Sequence, residues 1–311
     1  MGSRGVAAML GAALALALAA CSGDDEETTG ATTATAPAAT QPTSTGAADE
    51  PAPATTTGPL AGGETADPAL LADAAGTTAA ARSARVATSV RVRSPEQGQT
   101  RFSGEGAFDF ERRRGEMTLE LLEGGAGGFG GQSEAIFVDT SVYYRLPPGT
   151  LPGGQRWIRL DLQNVVDATG IDFGPLVQGS QADPSQYLLW LSALGPGVTK
   201  ISEEEVRGVP TTRYRAAVDL GLLEGQAPPG KEAEWSAYVQ ALRDRLGLDF
   251  IPVEVWVDGD GLIRRLYHEH GFGADGTSAT VTTELFDFGV AVDAKAPPPG
   301  QVAAMNDLIR P

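Results

Sequence analysis

Residues 252–270, with the sequence PVEVWVDGDGLIRRLYHEH, constrain the fold of this chain most, because apolar and polar positions alternate along them. Val253, Val255 and Val257 share one parity before the Asp-Gly-Asp-Gly sequence of residues 258–261, and an apolar stretch resumes after it. Alternation on both sides of a short glycine-containing turn is typical of a β-hairpin with one buried face. The hairpin therefore predicts a sheet whose apolar face must be covered by another layer.

Two further stretches alternate in the same way and extend this sheet. Within residues 211–220, Tyr214, Ala216 and Val218 share one parity, and residues 278–292 form the last predicted strand. Upstream, segments with a period of two predict strands at 84–94, 99–110, 114–122, 135–139, 142–146 and 155–160. Because most of these strands are neighbours in sequence, the pattern predicts a mainly-β α+β domain built on a strongly curved antiparallel half-barrel.

Amphipathic helices are predicted to cover the apolar face, which becomes the concave face of the half-barrel. The first helix is capped by Asp67 and runs to about residue 83. The second begins at Asp183 and ends before Gly195, and the third spans residues 231–246. The two later helices are short and rich in aromatic residues, so they can lie across a sheet but cannot form a bundle by themselves.

The amino terminus has the features of a bacterial lipoprotein signal. Arg4 precedes an apolar run at residues 6–18, which is too short to span a bilayer permanently, and Leu-Ala-Ala-Cys ends at Cys21. This sequence resembles a lipobox, which implies cleavage after residue 20 and a diacylglycerol on the Cys21 thiol; the alternative is an ordinary signal peptide with a chance cysteine. Cys21 is the single cysteine of the chain, so no intrachain disulfide can form.

Residues 21–66 are predicted to be a disordered tether between this anchor and a domain at residues 67–311. From residue 22 onward this segment is rich in Thr, Ala, Pro, Gly and acid and holds no aromatic residue, Lys or Arg, so it has little apolar surface to bury. Residues 67–311 carry 33 Asp and Glu against 22 Lys and Arg. Such an acidic domain is a poor partner for nucleic acid and gains no attraction from an anionic membrane surface.

The search for catalytic, metal-binding and cofactor-binding patterns returns none that we assign. His268 and His270 share one strand face beside Glu269 and could hold a metal ion, but we interpret them as a polar strand end. The Asp-Gly-Asp-Gly sequence of residues 258–261 lacks the closing Glu of a calcium loop and is a turn. The glycine-rich residues 124–131 are followed by a predicted strand instead of a helix, which favours a mobile loop over a phosphate site.

Several segments together resemble one known family. They are the lipobox, the tether, the helix leading to residues 83–85, the run EEVRGVPTTRYR at 204–215, and the stretches PVEVWVD at 252–258 and GLIRRL at 261–266. With these, the chain resembles the actinobacterial LppX/LprAFG-type lipoproteins over most of residues 67–292. The resemblance implies a LolA/LolB-like half-barrel with an apolar cavity between sheet and helices, and a non-enzymatic carrier of acylated lipids or lipoglycans in the cell envelope.

The pattern and the resemblance lead to one hypothesis for the ligand site. An acyl chain costs roughly 0.8 kcal/mol per methylene exposed to water, so a carrier needs a dry apolar cavity. The expected cavity wall consists of apolar-parity residues of two strands: Tyr214, Ala216, Val218, Val253, Val255 and Val257. The expected lid consists of helix residues: Trp190, Leu191, Trp235, Tyr238 and Leu242. Each of these residues could equally be ordinary core.

Two other hypotheses remain at this point. In one, the half-barrel is filled by its own side chains, and the anchored domain binds an envelope protein or reports envelope stress. In the other, the chain is a hydrolase whose catalytic residues are not recognisable. The carrier hypothesis also implies an extracytoplasmic, membrane-anchored location and an envelope transporter as partner.

Overall fold

The computed structural model describes residues 63–96, 98–123, 132–139, 141–161, 188–227, 230, 232–272 and 276–304. The described residues form thirteen strands: β1 (Glu64–Thr65), β2 (Ser83–Ser94), β3 (Gly98–Asp109), β4 (Arg114–Glu123), β5 (Gln132–Val138), β6 (Ser141–Arg145), β7 (Trp157–Asp161), β8 (Thr199–Val206), β9 (Val209–Asp219), β10 (Phe250–Asp258), β11 (Ile263–Phe272), β12 (Thr277–Phe286) and β13 (Val302–Ala304). The α-helices are α1 (Pro68–Ala80), α2 (Leu220–Glu224) and α3 (Glu232–Leu246). Residues 188–190 are also helical and continue into a 3-10 turn, Leu191–Ala193.

All thirteen strands belong to one sheet with the order β1-β8-β9-β10-β11-β12-β2-β3-β4-β5-β6-β7-β13. The β12–β2 pair joins the two halves of the chain, with Val281 opposite Val90 and Thr283 opposite Thr88. Neighbouring strands are antiparallel except β7 and β13, which are parallel. The sheet is curved and does not close, because β1 and β13 lie at its two edges. The predicted fold class, a mainly-β half-barrel, is therefore confirmed.

The strand register assigns one continuous set of residues to a single face, which we call the inner face. Val255 lies opposite Tyr214 and Leu266, Leu266 opposite Thr283, and Thr283 opposite Thr88. The same row continues through Gly104, Leu119 and Ser133 in β3, β4 and β5. Since side chains alternate across a strand, every position two residues away along these strands also faces inward. The inner face is thus shared by all the long strands.

Helices pack on the inner face over β9, β10 and β11, and α1 is fixed there by one threonine. Asp67 caps α1 by accepting a hydrogen bond from the amide of Ala69 at 2.9 Å. In the last turn, the buried Thr78 hydroxyl donates to the carbonyl of Ala74 at 2.7 Å and accepts from the Ile263 amide at 2.9 Å. This second bond satisfies a backbone donor of β11 and sets the position of α1 against the sheet.

The short helix α2 holds α3 in place through polar contacts. Glu224 of α2 accepts hydrogen bonds from the Ser236 hydroxyl at 2.6 Å and from the Arg243 guanidinium at 3.0 Å. The hydrogen bond from Ser236 makes the larger contribution and that from Arg243 the next, and both lower the pKa of the Glu224 carboxyl. The indole of Trp235 donates to the Leu223 carbonyl at 2.7 Å, which fixes the orientation of this aromatic ring.

The outer face of the same strands carries arginines that cover a tryptophan. Trp256 is 0% exposed, although the alternation of β10 places it on the polar parity. The guanidinium carbons of Arg213 and Arg265, which lie opposite Trp256 on either side, are 5.0 and 5.3 Å from the ring centre. Arg213 donates from Nε to Glu254 at 3.0 Å, and Arg265 donates from Nε to Glu284 at 3.0 Å. The aliphatic stems and the paired guanidinium groups therefore replace solvent over the indole.

Several elements differ from the sequence expectations. β1 includes Glu64 and Thr65, so the folded part begins before residue 67, within the expected tether. α2 was not predicted, and it lies where the predicted strand at 211–220 ends. Regular structure continues past the prolines at 297–299 into β13, because β13 finds hydrogen-bond partners on the open edge of β7. The expected second helix lies partly outside the described residues, as do residues 1–62 with Cys21 and the predicted loop at 124–131.

Candidate functional site

The predicted wall residues lie side by side on the inner face. Val253 is opposite Ala216, and Val255 is opposite Tyr214. Val218 is opposite Ile251 in the same strand pair. Their exposure is low: Ala216 1%, Val218 0%, Val253 5%, Val255 0% and Val257 7%, while Tyr214 is half-buried. The structure therefore brings all six predicted wall residues together.

The predicted lid residues are packed against this wall. Trp190, Leu191 and Leu242 are buried, Trp235 is half-buried, and the side chain of Tyr238 lies outside the described residues. We call the group formed by wall and lid the helix-covered cluster. It contains Leu71, Ala74 and Ala75 of α1, Leu188, Trp190, Leu191, Ala193, Leu194 and Val198 of the second helix and its exit, Leu220 and Leu223 of α2, Val239 and Leu242 of α3, and Ala216, Val218, Ile251, Val253, Val255, Val257, Ile263 and Leu266 of the strands.

The exposures within this cluster show how wall and lid meet. Val255, Val218 and Leu191 retain at most 1% of their surface, which leaves no space for a water-sized group beside them. At these positions the wall and the lid form a packed core. The role of these residues in binding a ligand stays a prediction.

A cleft opens at the edge of the helix-covered cluster, where α1 meets the ends of β9 and β10. Its volume is about 520 Å³, and it is lined by Asp67, Ala69, Leu70, Asp73, Ala74, Thr77, Thr212, Tyr214, Val257, Asp258, Gly259 and Gly261. Two of the predicted wall residues, Tyr214 and Val257, are among these. Asp258 accepts hydrogen bonds from the amides of Asp260 and Leu262 at 3.0 and 2.9 Å, which fixes the turn at the cleft rim.

A second apolar group lies on the inner face of the remaining strands, and we call it the strand cluster. It contains Ala84, Val86, Phe108, Phe110, Met117, Ala135, Phe137, Val142, Leu146, Leu151, Ile158, Leu285 and Ala303, with Leu119, Tyr144 and Phe288 packed against it. Among the described residues, none from α1, α2, α3 or the segment 188–194 belongs to this group. The inner face is therefore apolar in both halves, but the described helices contribute only to one of them.

Four inner-face residues next to the strand cluster remain half-buried. They are Val92 in β2, Phe102 in β3, and Leu119 and Leu121 in β4, and Phe102 lies directly opposite Leu121. We call these four residues the half-buried strip. The alternation in the sequence predicted these strands, but no ligand-binding residue was predicted in them. The alternation of Met117, Leu119 and Leu121 was the signal that could have identified the strip.

Glycines shape this part of the sheet. A Cβ atom at Gly104 would lie 2.8 Å from Leu119 Cδ2 and 3.0 Å from the end of Met117. A Cβ atom at Gly115 would lie 2.3 Å from the ring of Phe108. Glycine at these positions lets apolar side chains from the neighbouring strand lie across the backbone.

His268 and Thr283 lie on the inner face between the two apolar groups. His268 is 4% exposed and its ring centre is 6.0 Å from that of Trp190, so the interpretation of His268 as a polar strand end was wrong. The reason is its parity, because His268 lies opposite Val253 and Val281 on the apolar side. Thr283 is 2% exposed, and its hydroxyl has no hydrogen-bond partner in the part of the chain that the structure describes.

A search of the described residues finds no group of three His, Cys, Asp or Glu side chains that could hold a metal ion. The side chain of His270, which the alternative metal site requires, lies outside the described residues. None of the described helices is both long and apolar enough to cross a membrane.

Tyr144 is an inner-face residue whose ionisation is changed by its surroundings. Burial raises the pKa of the Tyr144 hydroxyl to about 12. Its neighbours across the sheet are Ala135 in β5 and Ile158 in β7, both of them buried and apolar. The phenol therefore stays neutral at physiological pH and can donate a hydrogen bond.

No protein-family model matches the sequence. An "uncharacterized 31.2 kDa protein in rplA-rplJ intergenic region" of Streptomyces griseus is 26% identical over 161 residues. That alignment covers 51% of each sequence, so the chain spans about half the length of the curated relative it matches.

Solved structures align over a larger share of the chain. The lipoprotein LppX of Mycobacterium tuberculosis has 12% identity and a TM-score of 0.41, and the alignment covers 74% of this chain and 100% of LppX. LprF of Mycobacterium bovis has 10% identity and a TM-score of 0.40, with 75% of this chain and 99% of LprF covered. This chain is similar to LppX and LprF. Both are lipoproteins of the type that the sequence resembles. A LolA superfamily protein from Nitrosomonas europaea also aligns, with 10% identity and a TM-score of 0.29, and the alignment covers 70% of this chain and 93% of that protein. The fold of this chain follows from its own strand order and register, and not from these alignments.

Proposed function

We propose that this chain binds the acyl chains of a lipid or lipoglycan on the inner face of its sheet and carries them across the cell envelope. The observation that supports this function is the unequal helix cover of the inner face, which carries an apolar group in each half. The described helices join only the helix-covered cluster, while Val92, Phe102, Leu119 and Leu121 remain half-buried beside the strand cluster.

The energetics of acyl transfer explain why such a face is useful. Each methylene of an acyl chain gains roughly 0.8 kcal/mol when it leaves water, so a chain of many methylenes strongly favours an apolar site. Binding of this kind is non-directional and needs only a few polar groups for orientation. The half-buried strip supplies apolar surface, and the cleft is lined by two of the predicted wall residues, Tyr214 and Val257.

The test measures uptake of a fluorescent acyl probe by the purified chain, together with mass spectrometry of lipids extracted from it. Leu121→Trp fills the half-buried strip and should weaken uptake at least about tenfold, which corresponds to about 1.4 kcal/mol of binding free energy. Glu120→Trp is the matched control, because Glu120 is exposed on the opposite face of the same strand. Absence of both co-purified lipid and probe uptake in the unchanged chain would rule out a carrier.

A second function is supported by the packing of the helix-covered cluster. Its wall and lid leave no space at Val255, Val218 and Leu191, as expected for an anchored interaction module with a filled core. In that case Leu121→Trp and Glu120→Trp would behave alike in the uptake assay. The same measurement therefore separates the two functions.

Membrane anchoring through Cys21 is part of the same proposal, together with a location on the extracytoplasmic face of the cell membrane. The support is the sequence Leu-Ala-Ala-Cys after an apolar run of residues 6–18. Cys21→Ser should move the chain from the membrane fraction to the soluble fraction, and mass spectrometry of the mature chain should locate the acyl groups on residue 21.

A further inference from the structure

The cleft between α1 and the ends of β9 and β10 contains apolar surface that stays accessible. Val257 of β10 and Ala74 of α1 are 7% and 3% exposed, but 37% of the Leu70 surface is exposed. The neighbouring Leu71, which belongs to the helix-covered cluster, is 0% exposed. Leu70 therefore lies on the side of α1 that lines the cleft and not on the side that packs in the core.

Two exposed acids flank Leu70 on the same side of α1. Asp67, Leu70 and Asp73 follow one another at intervals of three residues, and all three line the cleft. Residues three apart are neighbours on a helix surface, so the leucine lies between the two carboxylates. With a rise of about 1.5 Å per residue, the two acids are about 9 Å apart along the helix. The helix therefore presents an acid, an apolar side chain and a second acid to the cleft.

The carboxylates of Asp67 and Asp73 have no cation beside them in the described part of the chain. Asp67 accepts a hydrogen bond from a backbone amide of α1, and neither side chain forms an ion pair with another described residue. No Lys, Arg or His is among the described residues that line the cleft. Asp258, the third acid of the lining, differs because the guanidinium of Arg264 donates to its carboxylate. The cleft thus keeps two exposed negative charges on either side of Leu70.

The charge of the cleft decides which occupant fits it. Residues 22–66 of this chain include no Lys or Arg, so the tether offers no cation to pair with these carboxylates. An anionic membrane surface is repelled by the same carboxylates. A protein segment that combines cations with an apolar side chain matches both the charge of the cleft and its exposed leucine. The volume of about 520 Å³ is sufficient for a few side chains of such a segment.

We propose that this cleft docks a segment of a partner protein in which an apolar side chain lies between two Lys or Arg side chains. In the complex the apolar side chain contacts Leu70, and the two cations pair with Asp67 and Asp73. The ion pairs favour partners of the right charge and increase the association rate, while the buried leucine adds apolar contact. Docking at the cleft does not require that the chain binds lipid, so the inference goes beyond the proposed function.

Peptide display on the purified chain tests this surface. A library of random peptides is selected on the immobilised chain, and fluorescence anisotropy then measures the affinity of the selected peptides at low and high salt. The selected peptides should carry Lys or Arg on both sides of an apolar residue and should bind less tightly at high salt. Asp73→Asn should weaken their binding about threefold, as for one exposed ion pair, and Asp73→Lys at least about tenfold. Asp244→Asn is the matched control and should change nothing, because Asp244 is an exposed acid of α3 outside the cleft lining.

Several results would overturn the docking proposal. If no peptide is selected, if the peptides show no excess of Lys and Arg, or if Asp73→Asn and Asp244→Asn act alike, the carboxylates recognise no cationic segment. Flotation with phosphatidylglycerol vesicles that is lost in Leu70→Ser would make the cleft a membrane contact. A dimer that sedimentation detects and that is lost in Leu70→Ser would make it a contact between two copies of the chain. Circular dichroism checks the folding of each variant, and acyl-probe uptake, measured separately, decides the proposed function without deciding this one.

Discussion

The two apolar groups on the inner face share a sheet and a pattern but differ in what packs on them. Over β9, β10 and β11, residues of four helical segments pack against the strand side chains, and Val255 and Val218 are 0% exposed. Over β2, β3 and β4, no described helix contributes, and Phe102, Leu119 and Leu121 stay half-buried. Strands with the same alternation can therefore form a helix-packed core in one part of a sheet and leave apolar side chains half-buried in another.

The largest expected effect on the free energy of unfolding comes from placing a tryptophan in the helix-covered cluster, and the comparison is a tryptophan in the half-buried strip. Val255→Trp inserts a bulky ring where no space remains, and it should lower the free energy of unfolding by about 3 kcal/mol. Leu121→Trp should change it by less than about 0.5 kcal/mol, because a half-buried position leaves room for the larger ring along the half-buried strip. Urea unfolding followed by circular dichroism measures both. Equal destabilisation by the two variants would remove the distinction between the groups.

A smaller effect is expected from loosening the helix cover. Thr78→Val keeps the shape of the side chain but leaves the buried Ile263 amide without its acceptor, which should cost about 2 kcal/mol. Thr77→Val is the control, since its exposed hydroxyl donates only to the Asp73 carbonyl of the same helix, and it should cost less than about 0.5 kcal/mol. Hydrogen exchange at the Ile263 amide locates the change. Similar costs for both variants would contradict the anchoring role of Thr78.

The smallest effect concerns the pH dependence of the strand cluster. Because the folded-state pKa of Tyr144 is raised from 10.0 to about 12, its contribution to stability is complete below pH 10 and is lost as the pH rises toward 12. At pH 11 the loss should be about 1 kcal/mol, and Tyr144→Phe should remove it. Urea unfolding of this variant, of Tyr143→Phe and of the unchanged chain between pH 8 and 11 tests this. A pH profile identical in all three would show that Tyr144 is solvated.

The hairpin and its neighbours were predictable from short-range pattern. Val253, Val255 and Val257 face the same side because a strand has a period of two, and the cap at Asp67 begins α1 as expected. The six wall residues and the lid residues Trp190, Leu191, Trp235 and Leu242 belong to or pack against one cluster, and their role in ligand binding stays a prediction. Pattern alone, however, carried no information on how closely the helices approach the strands.

The misses have a common physical origin in contacts between distant parts of the chain. Trp256 has the parity of a solvent-facing residue but is buried by Arg213 and Arg265, which come from two other strands. His268 has polar chemistry, yet its parity places it beside Trp190. β13 forms because the edge of β7 offers hydrogen-bond partners to residues 302–304. None of these contacts leaves a signal in the local sequence.

The alternation of the strands, the position of the turn at residues 258–261 and the apolar character of the inner face were all predictable from the amino-acid sequence. These properties follow from the geometry of a single strand and from the chemistry of neighbouring residues. Which half of that face the described helices pack on, and which apolar residues beside the strand cluster stay half-buried, became known from the tertiary structure alone. Packing between layers depends on the distances between segments far apart in the chain, and periodicity within a segment carries no such distance.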